Sequence, residues 1–267
     1  MMKQLFIKSA AVCCPEVALL AALDLRSSDI DKSLIPAGMR RRTSMTTRMA
    51  ITAAKHACTQ ANSDTQNLAS VFASLGGEIQ VTDALCRLLP DENELLSPTQ
   101  FHNSVHNTTA GYWGILNKCQ APTTAIAAAD DTFAMGLIEV WAQLQQEPGE
   151  RLLVCYDELW PQYLAPPIGQ SAFACAFVLS TETDQSIGAI TMPQVSQLKQ
   201  QDLKVDWVKL TESAPAAAVI PLLLALQDKQ SGLVPLNIKA PIWTSQFEPY
   251  FCESSFWASK PKFAAKA

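Results

Sequence analysis

His102 and His106 stand four residues apart in an asparagine-rich stretch, His102 to Asn107. On a helix that spacing puts both imidazoles on one face, where they could share a metal ion. No third ligand accompanies them, so no metal is expected, and the favoured reading is a hydrogen-bonded loop. Farther on, small residues from Thr123 to Ala129 form a bend that feeds an apolar helix, Asp131 to Leu144. Enzymes often place a nucleophile at such a bend, because a helix N-terminus lowers a thiol pKa and stabilises developing negative charge. Here the place holds Ala125, Ile126 and Ala127, a catalytic scaffold without its nucleophile. Asp130 and Asp131 could act as acids, but acidic residues at a helix start are more often caps, each stabilised by about 0.3–1 kcal/mol. The cap reading is preferred. Gly169-Gln170-Ser171-Ala172-Phe173 has the outline of a hydrolase elbow, but Phe173 stands where that motif needs glycine. Neither a phosphate-binding P-loop nor a dinucleotide fingerprint occurs, and no cofactor is expected.

The elements that must position these residues alternate between strand and helix. Leu5 to Val12 reads as a buried strand rather than a signal peptide, Glu16 to Leu25 as a helix, and Asp29 to Pro36 as a loop. Thr43 to Ala61 carries small or apolar residues at helical spacing (Met45, Met49, Ala53, Ala57), with Thr43 as its N-cap. A short strand lies within Asn67 to Ser74, followed by the Gly76-Gly77 loop and a helix from Thr82 to Leu89. Pro90 and Pro98 bracket an acidic loop, and Gly111 to Leu116 reads as a helical turn packed by Tyr112 and Trp113. These two aromatics could line a tunnel, but core packing is the safer reading. Strands follow at Arg151 to Tyr156, at Ser171 to Ser180 (buried on both faces) and at Ile187 to Met192, then a helix at Ala217 to Gln227. Beyond Pro241 the chain reads as irregular and aromatic. Residues 1–245 form one expected domain and 246–267 a C-terminal tail ending in KPKFAAKA.

The 267 residues suffice for a core that buries about 75% of the unfolded surface. With 48% hydrophobic and 17% charged residues the chain is globular, and the low charge leaves room for a covering partner. A net charge of −5 argues against nucleic acid. The basic run Arg40-Arg41-Arg42, with Arg48 beyond, reads equally as a solvated helix start or a binding patch. The eight cysteines have no C-x-x-C spacing, and several sit in apolar runs such as Cys155 and Cys175. Such thiols behave as small hydrophobes, which points to a reducing compartment and a cytoplasmic protein. The longest apolar run, Ala214 to Leu226, contains prolines and is too short to span a bilayer.

Four segments then resemble a known family. They are LIPAGMRRRTSMTTRMAITAAKHA (34–57), VFASLGGEI (71–79), SPTQFHNSVHNTTAGYWGI (97–115) and YDELWPQYLAPPIGQSAFACAFVLS (156–180). The chain resembles the N-terminal half of β-ketoacyl-ACP synthases. It is similar in particular to the short, chain-length-factor-like proteins of aryl polyene and type II polyketide pathways. The resemblance implies an α/β half-thiolase fold, a mixed sheet flanked by helices. Active members carry a cysteine in a Thr-Ala-Cys motif. Thr124-Ala125-Ile126 matches that motif and puts Ile126 on the nucleophile position, where no acyl-enzyme can form. Cys119 lies upstream and is structural. Active members also use two histidines from their second half, whereas none of the three histidines here follows His106.

The resemblance further implies pairing with a second subunit through the strand that follows the elbow helix. His102, Asn103, Val105, His106 and Asn107 would lie near that interface, with Tyr112, Trp113 and Phe133 as interface or tunnel candidates. The expected role is a non-catalytic subunit that pairs with a catalytic ketosynthase and meets acyl carrier protein through the complex. An independent acyl-ACP hydrolase or transferase using His106 and a cysteine, or an acyl-ACP-binding homodimer, is the alternative.

Overall fold

The structure is a computed structural model that describes residues 3–15, 25, 27–89, 95–164 and 171–250. The expected helix at 16–25 apart from Leu25, most of the acidic loop, the start of the Gly169 motif and the basic tail lie outside the described residues.

Strand β1 (Gln4–Cys13) is followed by a helical turn, α1 (Ala37–Arg40), and a long helix, α2 (Met45–Ala61). Strand β2 (Ser70–Ala73) leads to α3 (Ile79–Leu88), α4 (Pro98–Asn103) and α5 (Thr108–Asn117). Strand β3 (Thr123–Ile126) precedes α6 (Thr132–Gln146), then β4 (Glu150–Asp157) and β5 (Phe173–Ser180). The remainder comprises β6 (Gly188–Thr191), β7 (Gln194–Val195), α7 (Val205–Ser213), α8 (Ile220–Asp228), β8 (Gly232–Pro235) and β9 (Trp243–Pro249).

Among the described residues the strands form one nine-stranded mixed sheet in the order β3-β2-β4-β5-β1-β6-β9-β7, with β8 on β9. Strand β2 runs parallel to β3 and β4, and the other pairs are antiparallel. Alternation along β5 explains why the sequence read as a continuous apolar run. Phe173, Cys175, Phe177 and Leu179 face a core shared with α6, α7 and α8. Ala172, Ala174, Ala176 and Val178 face α2 and α5 on the other side. The small side chains meet the alanine face of α2 (Ala50, Ala53, Ala54, Ala57, Ala61), so helix and sheet approach closely and no face of β5 is left to water.

Several sequence expectations change. The N-cap of α2 is Ser44, one residue after Thr43, and its hydroxyl accepts from the Thr47 amide at 2.9 Å. Helix α3 starts at Ile79, so Thr82 lies inside it and bonds back to the Glu78 carbonyl. The stretch after Pro241 is strand β9, and it runs past the expected boundary at 245 because it pairs with β6, β7 and β8. Strand β4 lies inside the sheet between β2 and β5, so both of its edges are occupied. It has no free edge to offer a second subunit; among the described residues the sheet ends at β3 on one side and at β7 and β8 on the other.

Candidate functional site

The small-residue stretch resolves into a strand, a sharp turn and a helix. Thr123 to Ile126 pair in parallel with Ser70 to Ala73, which places Ile126 opposite Ala73 as the last residue of β3. The turn comes later. Ala129 has φ +49, in the left-handed region that costs a Cβ-bearing residue energy. The chain then passes through a short 3-10 segment, Ala129–Asp131, into α6. A sharp, strained strand-to-helix turn is the geometry of a nucleophile elbow. The ladder with β2 holds Ile126 as the last residue of the strand, three residues before the left-handed Ala129. Ala127 and Ala129 are exposed, and neither has a group that can ionise or attack.

The turn is held from two sides. The Thr132 hydroxyl accepts from the Ala128 amide (3.0 Å) and donates to the Ala129 carbonyl (2.7 Å). Asp130 and Asp131 are not side-chain caps of α6; they reach the loop between β8 and β9 instead. Lys239 Nζ lies 3.0 Å from Asp130 Oδ2, and the fully buried Asn237 donates to Asp131 Oδ1 at 2.6 Å. Gly136, one turn into α6, lets the helix press on the sheet. A Cβ there would lie 3.1 Å from Ala73 Cβ and 3.2 Å from Leu153 Cδ1.

The expected interface residues do not form one loop. His102 and Asn103 belong to α4, and Asn107 precedes α5. His102, Val105 and Asn107 are exposed, whereas Asn103 is buried and donates to the Arg42 carbonyl. His106 turns away from His102: its Nε2 lies 2.8 Å from the Ser74 carbonyl oxygen, and its ring packs against Gly77. Gly77 has φ +55, and a Cβ would meet His106 Cδ2 at 3.1 Å, so glycine avoids both backbone strain and pressure on the imidazole. The aromatic candidates are core. Phe133 stacks on Phe177 with centroids 6.2 Å apart, Tyr112 donates to Asn103 Oδ1 at 3.0 Å, and Trp113 is buried between α5 and the sheet. Among the described residues no thiol hydrogen-bonds to His106, and burial pushes Cys13 and Cys58 up to about 12.

Sequence reasoning missed a group of buried acids at the carboxyl ends of β2 and β4. Asp157 accepts from Ser74 Oγ (2.9 Å), from the amides of Leu75 (2.9 Å) and Gly76 (3.3 Å), and from Ala216 N–H (2.8 Å). Glu158 accepts from Thr46 Oγ1 and from the Gln80 amide (2.9 Å). Glu78 accepts from Ser44 Oγ (2.9 Å), Thr47 Oγ1 and Thr109 Oγ1 (3.3 Å). Burial pushes Asp157 up to about 6 against its hydrogen bonds, and pushes Glu158 up to about 7. The signal was present in GGE after one short strand and YDE after another, because adjacent parallel strands bring their carboxyl ends together.

No helix among the described residues is long and apolar enough to cross a membrane. A family model, that of the beta-ketoacyl synthase N-terminal domain, matches residues 20–235. No curated protein matches the chain. The fold is similar to that of the ketosynthase (ApeO) in complex with its chain length factor (ApeC) from Xenorhabdus doucetiae. Identity there is 19% and the TM-score 0.66, over 92% of this chain and 99% of that one. The ishigamide ketosynthase/chain length factor gives 10% identity and a TM-score of 0.70, over 93% of this chain and 100% of that one. AntDE:AntF, a type II PKS acyl-carrier protein in complex with its ketosynthase, gives 11% and 0.70, over 94% and 100%. At these identities the likeness establishes a thiolase-like ketosynthase fold.

Proposed function

We propose, for a chain that belongs to the beta-ketoacyl synthase N-terminal domain family, that it is a non-catalytic, chain-length-factor-type subunit. In this reading it pairs with a separate catalytic ketosynthase, in polyketide, aryl polyene or fatty-acid-like synthesis, and meets acyl carrier protein through that complex. The observation that carries the reading is the elbow. The strained turn into α6 is kept, yet Ala127, Ala128 and Ala129 occupy it and no histidine follows His106. A turn that costs energy and carries no reactive group fits a scaffold retained for assembly.

Pairing is favoured by two surfaces. The outer edge of β3, next to the elbow, is unpaired among the described residues and offers backbone groups to another strand. Exposed Phe101 and Val105, on and just after α4, add apolar surface for a partner to cover.

Co-expression tests this directly. The tagged chain is produced with the ketosynthase encoded beside it, and the native mass and condensing activity of the eluate are measured. A one-to-one heterodimer, active only as the pair, is expected. Condensing activity from the chain alone, or its elution as a lone monomer or homodimer, overturns the reading.

A further inference from the structure

The loop between β8 and β9, residues 236–242, is anchored on one side and open on the other. Leu236, Ile238 and Ile242 are buried in the core shared with α6, whereas Lys239, Ala240 and Pro241 are exposed. Asn237 has no exposed surface, and both polar groups of its side chain are in use. Its Oδ1 accepts from the Trp243 amide at 2.8 Å. Its Nδ2 hydrogens serve the carbonyls of Lys239 (2.8 Å) and Pro241 (3.0 Å) and Oδ1 of Asp131 (2.6 Å). Lys239 and Pro241 belong to the loop, and Trp243 is the first residue of β9. Asp131 lies 106 residues away in the chain, at the start of α6.

The elbow needs such a contact. Ala129 is left-handed at φ +49, and a strained residue persists only where its surroundings over-determine it. The bonds inside the turn are local. Ala128 N–H donates to Thr132 Oγ1, the Thr132 hydroxyl to the Ala129 carbonyl, and Asp131 N–H to the Ala128 carbonyl at 2.9 Å. They tie residues 128–132 to one another. Among the described residues, two polar side-chain contacts of the turn reach farther. Lys239 with Asp130 is an ion pair whose side chains are 59% and 33% exposed, where solvent screens it. Asn237 with Asp131 rests on a fully buried donor, where a hydrogen bond to a carboxylate is strong. Neither aspartate caps α6 with its side chain, the ordinary use of an acid at a helix start. Both carboxylates turn to the loop instead.

We propose that Asn237 is a positioning residue for the elbow: its bond to Asp131 holds the strained turn against the β8–β9 loop, so that turn and loop form one conformational unit. A disturbance on either side crosses to the other. The exposed tip of the loop is thereby joined to the exposed turn, and Lys239 Nζ lies 3.0 Å from Asp130 Oδ2, next in the chain to Ala129. The unit does not depend on the partner reading, because it uses only contacts within this chain.

The test uses the full chain and reads amide exchange, corrected for intrinsic rates, at one reporter on each side. Ala128 N–H, bonded to Thr132 Oγ1, reports the elbow, and Trp243 N–H, bonded to Asn237 Oδ1, reports the loop. Leu152 N–H, bonded to the Ala69 carbonyl inside the sheet, reports global opening and is the reference. Asn237→Ala acts from the loop and is expected to speed exchange at Ala128 by ~10-fold or more relative to Leu152. Asp131→Ala acts from the elbow and is expected to speed exchange at Trp243 several-fold relative to the same reference. Asp131→Asn keeps an oxygen that accepts from Asn237 and is expected to hold both reporters near their wild-type rates. Should Asn237→Ala not fold, the two Asp131 variants decide the matter. The proposal is overturned by an Ala128 rate that only follows Leu152 in Asn237→Ala, by a Trp243 rate that only follows Leu152 in Asp131→Ala, or by an Asp131→Asn variant as loose as Asp131→Ala.

Discussion

Ala129 concentrates what is unusual at the scale of single residues. A β-carbon at φ +49 is unfavourable, and nothing in a methyl group repays the strain. Ala129→Gly is therefore expected to stabilise the isolated chain by roughly 1 kcal/mol, read as a higher urea midpoint at unchanged m. Ala129→Cys puts a thiol at the apex, near the start of α6. It should label faster than the buried Cys13 or Cys58, whose thiols burial pushes up to about 12. Decarboxylative condensation by that variant alone is not expected, because the acid/base histidines are still missing, and neither is it expected from Ile126→Cys. Product formation by either lone variant in an acyl-ACP elongation assay would contradict the assignment. The sequence located this region correctly as small residues before an apolar helix. It did not show that the left-handed residue is Ala129, because strand pairing, a long-range property, determines where β3 ends.

Among elements, α6 does most to position the elbow, and its seat on the sheet depends on Gly136. Gly136→Ala drives a methyl against Ala73 and Leu153, neither of which can move without disturbing β2 or β4. The expected loss is about 1–3 kcal/mol in the urea unfolding free energy, with the elbow shifted rather than unfolded. Helix α6 was legible because its apolar residues recur at helical spacing, and β5 because its apolar run is unbroken. Helix α4 was not: six residues, Pro98–Asn103, carry no such period and are held by Ser97 at the N-terminus and by Asn103 bonding to Arg42 and Tyr112. Short elements held by tertiary hydrogen bonds leave little local trace.

At the scale of the whole molecule, the described residues fold as a nine-stranded sheet whose central strand β5 is covered on both faces, and which ends at the short strand β3 on one side and at β7 and β8 on the other. Val105 is 46% exposed, so Val105→Asp should leave the isolated chain's stability within about 0.5 kcal/mol. In the proposed complex the same change buries an unpaired carboxylate and should reduce co-purification with the ketosynthase. Unchanged recovery of the pair would move the interface away from α4 and toward the β3 edge alone.

The sequence by itself determined the alternation of strands and helices, the small-residue approach to α6, the run of alanine and isoleucine from Ala125 to Ala129 and the lack of a histidine between His106 and Ala267. These are properties of residue type and local spacing, and they survive without knowledge of the fold. Only the tertiary structure decided that Ala129 takes the left-handed conformation, that β4 is interior and β3 ends the sheet, and that Asp130 and Asp131 serve Lys239 and Asn237. It alone brought Glu78 together with Asp157 and Glu158. The reason is parallel pairing: β2 and β4 are distant in sequence, and hydrogen bonds between them place their carboxyl ends side by side.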